Sequence, residues 1–285
     1  MGMFSGIWIP LVTPFNRGAV DYVALRSLVE RYAKAGVSGL VALGTTGEPS
    51  ALSEAESDEV LATILQAARG LPVMVGISGN QTARLAGRVA RINELPVAGI
   101  LVSAPYYIRP SQAGLIDHFT QLADASAKPV VLYDIPYRTG VRIELDTLLT
   151  LAAHPRIQAI KDCADSTETT LALIVDGRLQ VLAGNDGNIF HTLCMGGSGA
   201  IAASAHLRPE RFVAMYRALA DGRLAEGRAI HHELAPLVRA LGSEPNPAPV
   251  KAALAAQGLL RNELRAPMTC ATEALGRRLA ELVLE

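Results

Sequence analysis

The sequence is poor in several things that would otherwise assign it quickly. Only three of its 285 residues are cysteine, Cys163, Cys194 and Cys270. They are far apart and odd in number, which excludes a disulfide framework or a thiolate metal cluster and fits a reducing, cytoplasmic compartment. Neither sign of charge dominates, with 26 basic against 27 acidic residues and a formal net charge of −1. The basic excess of a nucleic-acid binder and the imbalance of a disordered chain are both missing. Long apolar runs are missing too: the opening Met-Gly-Met-Phe-Ser-Gly-Ile-Trp-Ile-Pro-Leu-Val-Thr-Pro-Phe has no basic lead, and Pro10 and Pro14 interrupt it. It falls well short of the roughly 18 residues of a membrane span, so neither secretion nor membrane insertion is expected. No His-Glu-x-x-His, Cys/His cluster or Asp-rich loop appears, and no metal is expected. Lysine is scarce as well. The basic residues comprise 22 arginines and four lysines, Lys34, Lys128, Lys161 and Lys251. Genomic base composition accounts for such a bias without any functional meaning, but arginine cannot replace lysine where an amine must react.

What the chain does have is apolar patterning, with half of its residues hydrophobic. Short continuous runs predict strands at Ile7–Val12, Gly39–Leu43, Pro72–Gly76, Gly99–Ser103, Pro129–Tyr133, Gln158–Lys161, Leu179–Ala183 and Ala200–Ala203. Continuous rather than alternating apolarity is the mark of parallel strands buried on both faces. Three- and four-residue spacing predicts helices over Val20–Ala35, Glu54–Ala68, Thr82–Asn93, Gln112–Ser126 and Glu144–Ala153, with Ser53 and Ser111 as caps. Eight strand–helix alternations point to a (β/α)8 TIM barrel rather than an open doubly wound sheet. No G-x-G-x-x-G follows the first strand, and a turn over Thr13–Gly18 intervenes before a helix. From about Pro209 the pattern reads as purely helical, broken only by Glu244-Pro-Asn-Pro-Ala-Pro249. The expected organisation is a barrel over residues 1–224 carrying the active site and a C-terminal helical extension over 225–285.

Chemistry in such a barrel belongs to the C-terminal ends of the strands and the loops after them. Thr45 and Thr46, Tyr106 and Tyr107, Tyr133 and Asp134, and Lys161 emerge there. Lys161 closes the apolar run Ile157-Gln-Ala-Ile-Lys. Burial disfavours the ammonium form, and the neutral amine is the nucleophile that attacks carbonyls, so a Schiff-base lysine is chemically reasonable. A structural ion pair with Asp134 or Asp162 is the competing reading. The phenol of Tyr133, ending the neighbouring strand, is suited to pass protons to and from a carbinolamine without placing a permanent charge beside an iminium.

Gly44-Thr-Thr-Gly-Glu48 reads either as a tight turn whose glycines supply positive φ, or as a cradle of hydroxyls and N–H groups for a carboxylate. Arg138, in Tyr137-Arg-Thr-Gly140, is a surface arginine or a fork for a second carboxylate. Met195-Gly-Gly-Ser-Gly199 precedes the last strand and is a plain turn rather than a phosphate loop. Cys163 is expected to be a packed thiol, and His231-His232 a partly exposed pair in the helical extension.

Read together, Ile9-Pro-Leu-Val-Thr-Pro14, Gly44-Thr-Thr-Gly-Glu48, Pro105-Tyr-Tyr-Ile-Arg-Pro110, Tyr133-Asp-Ile-Pro-Tyr-Arg-Thr-Gly140, Ile160-Lys-Asp162, Glu244-Pro-Asn-Pro247 and Ala266-Pro-Met268 carry a resemblance that runs nearly end to end. The sequence resembles the dihydrodipicolinate synthase family of the N-acetylneuraminate lyase superfamily, the pyruvate-dependent class I aldolases. The resemblance implies a lyase of lysine and diaminopimelate biosynthesis that condenses pyruvate, held on Lys161 as a Schiff base, with L-aspartate 4-semialdehyde. It implies Tyr133 as proton donor and acceptor, linked through Thr45 to a Tyr107 that crosses from a neighbouring subunit of a dimer or tetramer. It further implies Thr46 and the Ile201 backbone on the pyruvate carboxylate, Gly184 lining that pocket, and Arg138 on the carboxylate of the second substrate. No organic cofactor or metal is implied.

The chain departs from the family pattern at Asp134, where asparagine is usual, at Tyr137, and over Asp162-Cys-Ala-Asp-Ser166. These changes leave two alternatives to the synthase reading: another aldolase of the superfamily acting on a keto-sugar acid or other 2-oxo acid, and a catalytically silent binding or regulatory homologue. The family's lysine-inhibition site keeps Ser50, Asn80 and Tyr106 but has Glu54 and Arg84 as departures, so inhibition by L-lysine is expected to be weak or absent.

Overall fold

The computed structural model describes residues 2–284. The apolar runs form eight barrel strands: β1 (Gly6–Pro10), β2 (Gly39–Ala42), β3 (Val73–Ile77), β4 (Gly99–Ser103), β5 (Val130–Asp134), β6 (Ile157–Asp162), β7 (Gln180–Ala183) and β8 (Gly199–Ile201). They follow one another in chain order around a closed barrel. A segment such as Val73-Met-Val-Gly-Ile77 is buried at every position, as a parallel strand covered on both faces requires. The helices begin where their caps predict. Ser53 makes a reciprocal capping box with Glu56 at the start of Glu54–Ala68, and Ser111 accepts from the Gly114 N–H at the start of Gln112–Asp124. Caps of this kind contribute about 1 kcal/mol each.

The chain packs as two compact units, one of residues 2–5 with Val73–Ile201 and the other of Gly6–Pro72 with Ala202–Leu284. The first unit carries β3 to β8, and its register sets Tyr133 beside Lys161 and Asp134 beside Asp162. Phe4 is fully buried there, and a Cβ at Gly99 would lie 2.9 Å from its ring, so glycine is needed for the strand to pass. The second unit pairs β1 with β2 and packs the helices Tyr22–Lys34, Glu54–Ala68, Pro209–Ala220, Leu224–Leu241, Ala248–Ala256 and Glu273–Leu284. Its buried His206 accepts from the Val12 N–H at Nε2 and meets the Ala203 carbonyl at Nδ1. Burial pushes the His206 pKa down to about 4, so the ring is a neutral structural bridge.

Two expectations are corrected. The turn over Thr13–Gly18 includes part of a small antiparallel hairpin, Phe15–Asn16 with Ala19–Val20. The C-terminal part is not purely helical beyond Glu244–Pro249, because residues 257–272 form no helix. This segment is tied to the hairpin instead. The Glu263 carboxylate accepts the N–H groups of Arg17 at 2.9 Å and Gly18 at 2.6 Å, and the Arg265 guanidinium donates to the Gly18 carbonyl and the Glu56 carboxylate. Such long-range polar ties leave no trace in local periodicity.

Candidate active site

In the first unit, Lys161 and Tyr133 occupy paired positions on adjacent strands, and both side chains are buried, each 7% exposed. The Lys161 Nζ lies 4.3 Å from the centroid of the Tyr133 ring. Successive side chains on a strand point to opposite faces, so Asp134 and Asp162, one residue further on, face away from this pair. The structure accordingly replaces the ion-pair reading of Lys161. Asp162 accepts from the Ala164 N–H at 2.9 Å and the Thr170 hydroxyl at 2.5 Å, while Asp134 accepts from the Ile143 N–H at 3.2 Å. Among the described residues no carboxylate forms an ion pair with Lys161. Burial pushes the Lys161 pKa below the ordinary lysine value; Cys163 and Asp186 oppose the shift and Arg138 adds to it.

Cys163 is a buried thiol pushed up to about 12 by desolvation, which outweighs the opposing hydrogen bond from Tyr133, so it is protonated rather than reactive. Gly184 donates its N–H to the Asp162 carbonyl, and a Cβ there would stand 2.9 Å from the Lys161 Cγ, so only glycine leaves room for the lysine stem. Ile201 is buried at the end of β8. Arg138 is exposed on the helical turn Pro136–Thr139, with its guanidinium carbon 5.5 Å from the Tyr137 ring centroid. Tyr107 is 89% exposed with φ of +72°, and its N–H donates to the Thr139 carbonyl. Tyr106, Ile108 and Tyr137 are exposed as well.

In the second unit, Thr45–Gly47 is a single 3-10 turn, separate from the helix Glu54–Ala68. Its left-handed residues are Leu43 and Glu48, not the glycines, which corrects the tight-turn expectation. Gly47 is required for another reason: a Cβ would lie 3.0 Å from the Leu11 carbonyl oxygen. Thr45 is half-buried. Thr46 is buried, and its Oγ1 accepts from the Asn246 Nδ2 at 2.9 Å.

Glu48 and Lys251 form a buried ion pair, and the Lys251 Nζ also donates to the Glu263 carbonyl at 3.0 Å and lies 4.1 Å from the Phe15 ring centroid. Sequence reasoning assigned Asn246 and Lys251 no role. One signal was present: Lys251 is the sole charge in Ala248-Pro-Val-Lys-Ala-Ala-Leu-Ala-Ala256, an odd place for a solvated lysine. Among the described residues no three His, Cys, Asp or Glu side chains gather in a way that could hold a metal ion, and no helix is long and apolar enough to cross a membrane.

A model of the dihydrodipicolinate synthetase family matches residues 3–284. The chain belongs to this family. It is 40% identical to the 4-hydroxy-tetrahydrodipicolinate synthase of Haloarcula marismortui over 93% of this chain and 88% of that protein. The enzyme of the same name from Hyphomonas neptunium is 42% identical over 94% and 93% of the two chains. Among solved structures, the chloride-inhibited dihydrodipicolinate synthase of Acinetobacter baumannii complexed with pyruvate superposes with a TM-score of 0.95, at 31% identity and 98% coverage of both chains. The family is one of lyases, and a buried amine at the end of a barrel strand fits that chemistry.

Proposed function

We propose that this protein condenses pyruvate with L-aspartate 4-semialdehyde to give 4-hydroxy-tetrahydrodipicolinate, as a cytoplasmic enzyme of lysine and diaminopimelate synthesis. The observation that carries the reading is a buried lysine that forms no ion pair among the described residues, set against a tyrosine on the next strand. In the reaction the neutral Lys161 amine attacks the keto carbon of pyruvate, water leaves, and a protonated imine forms. Loss of a methyl proton gives the enamine, whose carbon attacks the aldehyde carbon; the aldehyde oxygen takes up a proton. The α-amine of the second substrate then adds to the imine carbon, and Lys161 departs as the ring closes.

Tyr133 is the group that carries protons at these steps, in a relay with Thr45 and Tyr107. Thr46 and the Ile201 backbone hold the pyruvate carboxylate, and Gly184 keeps the space beside the lysine stem open. Arg138 grips the carboxylate of the second substrate; its exposed guanidinium, already felt electrostatically at Lys161, supports this role. The active unit is a homo-oligomer, a dimer or tetramer in which Tyr107 crosses the subunit boundary. Exposure of Tyr106, Tyr107, Ile108 and Tyr137, linked through the Tyr107-to-Thr139 hydrogen bond, supports a covered surface at this place.

The test is borohydride reduction in the presence of pyruvate, followed by a comparison of aldehydes at equal concentration. A pyruvate adduct on Lys161 and preference for aspartate 4-semialdehyde are expected. Lack of an adduct would leave a silent homologue, while preference for a sugar-acid aldehyde would move the activity to another branch, in keeping with the bulky Tyr137 beside Arg138.

A further inference from the structure

The Thr46 hydroxyl has one proton to donate and two lone pairs with which to accept. In the structure it accepts from the Asn246 Nδ2 at 2.9 Å, across a sequence separation of 200 residues. Thr46 is buried, and its own O–H has no acceptor among the described residues. A buried hydroxyl whose acceptor side is occupied and whose proton is uncommitted is prepared to donate to an arriving anion.

Asn246 is well placed to enforce that polarity, because its segment is held on both sides. Glu244 accepts from the Thr272 N–H at 3.0 Å and hydroxyl at 2.5 Å. Lys251, on the helix Ala248–Ala256, forms the buried pair with Glu48, two residues beyond Thr46. The same two segments are thus joined twice, once by the ion pair and once by the Asn246–Thr46 hydrogen bond. The Asn246 Oδ1 is buried without a hydrogen-bond partner. The donor side of the amide is therefore the side that engages its surroundings.

We propose that Asn246 is a positioning residue for the carboxylate of the keto-acid substrate: by donating to the Thr46 Oγ1, it commits the Thr46 hydroxyl to donate its own proton to that carboxylate. This rests on the reading of Thr46 as the carboxylate-binding residue. The opposite amide orientation would consume the Thr46 proton and leave nothing to donate, so the two orientations make opposite forecasts.

The experiment measures KM for pyruvate, KM for the aldehyde, kcat and thermal melting for Asn246→Ala, Asn246→Asp, Thr46→Val and the double variant Thr46→Val/Asn246→Ala. Asn246→Ala is expected to raise the pyruvate KM about fivefold, the loss of one ordinary hydrogen bond, with kcat and the aldehyde KM within about twofold of the parent. Asn246→Asp replaces a donor by an anion beside the substrate's negative charge, and the pyruvate KM is expected to rise by about tenfold or more. In the Thr46→Val background, Asn246→Ala should add less than about twofold, since its effect passes through the hydroxyl.

An unchanged pyruvate KM in Asn246→Asp overturns the proposal, because the amide then accepts rather than donates. A lowered melting temperature in Asn246→Ala with both KM values unchanged also overturns it and leaves only a structural tie. Normal pyruvate binding by Thr46→Val is a separate failure, that of the carboxylate role of Thr46 on which the proposal stands.

Discussion

Two of the four lysines are buried, one in each compact unit, and their surroundings differ in one respect that decides their chemistry. Lys251 is wrapped by the Glu48 carboxylate, the Glu263 carbonyl and the face of Phe15, all of which favour a cation. Lys161 has the face of Tyr133, the open Cα of Gly184 and a protonated thiol, and forms no ion pair among the described residues. Burial lowers the pKa of both and nearby charge opposes it at both, but only at Lys251 is the opposing group, Glu48, a hydrogen-bonded ion-pair partner. Desolvation by itself does not make a nucleophile. The amine must also be left without a counter-ion, and the scaffold does this for only one of the pair.

The largest expected effect lies in activity. Lys161→Met should abolish the borohydride-trapped pyruvate adduct and lower kcat by at least about a thousandfold, whereas in the parent Lys251 should remain unmodified when the adduct is mapped by mass spectrometry. An adduct on Lys251 would break the comparison. Next is stability: Lys251→Met leaves Glu48 buried and uncompensated, which should cost about 3–5 kcal/mol in denaturant unfolding, while Lys161 in the folded fraction still traps pyruvate. A loss within experimental error would show that the buried Lys251–Glu48 pair does not stabilise the fold.

A third test concerns Asp134, which could erode the difference by supplying negative charge next to Tyr133. Burial raises its pKa to about 7, with Asp162 adding to the shift and the Ile143 N–H and Arg142 opposing it. The unfolded carboxyl titrates near ~3.9, so between about pH 4 and 7 the native state binds the extra proton. Its stabilising contribution is therefore full below about pH 4 and is lost as pH rises through about 7, by on the order of 2–4 kcal/mol. Asp134→Asn should match the parent in acid and exceed it in melting temperature at pH 8; a constant difference across pH 5–8 would refute the assignment.

The smallest effect has the opposite sign from that at Lys251. Lys161→Met removes a desolvated amine that forms no ion pair among the described residues, and should raise stability by about 1 kcal/mol, the usual direction when a catalytic group is replaced by an apolar one. A fall in stability would mean that the contacts of the Lys161 ammonium outweigh its desolvation.

Much of this architecture was legible in the chain. The helices Glu54–Ala68 and Thr82–Asn93 and the strand Gly99–Ser103 begin and end where apolar spacing and caps put them. Lys161 and Tyr133 stood out because each lies at the end of a continuous apolar run, and strand register then pairs them. Leu43 and Glu48 did not stand out as the left-handed residues of their turn, since the neighbouring glycines were the cheaper candidates and packing overrode that preference. Asn246 and Lys251 were missed because their partners, Thr46 and Glu48, lie about two hundred residues away in sequence.

The sequence by itself determined the alternation of buried strands and capped helices, and with four lysines it limited where a reactive amine could be. Those properties depend on neighbours a few residues apart, which periodicity reports. Which buried lysine is neutralised by a carboxylate, and which threonine hydroxyl is left with its proton to give, were decided only by the tertiary structure. Protonation and hydrogen-bond polarity follow from desolvation and from the charges within a few ångströms, and in a barrel those charges come from distant parts of the chain.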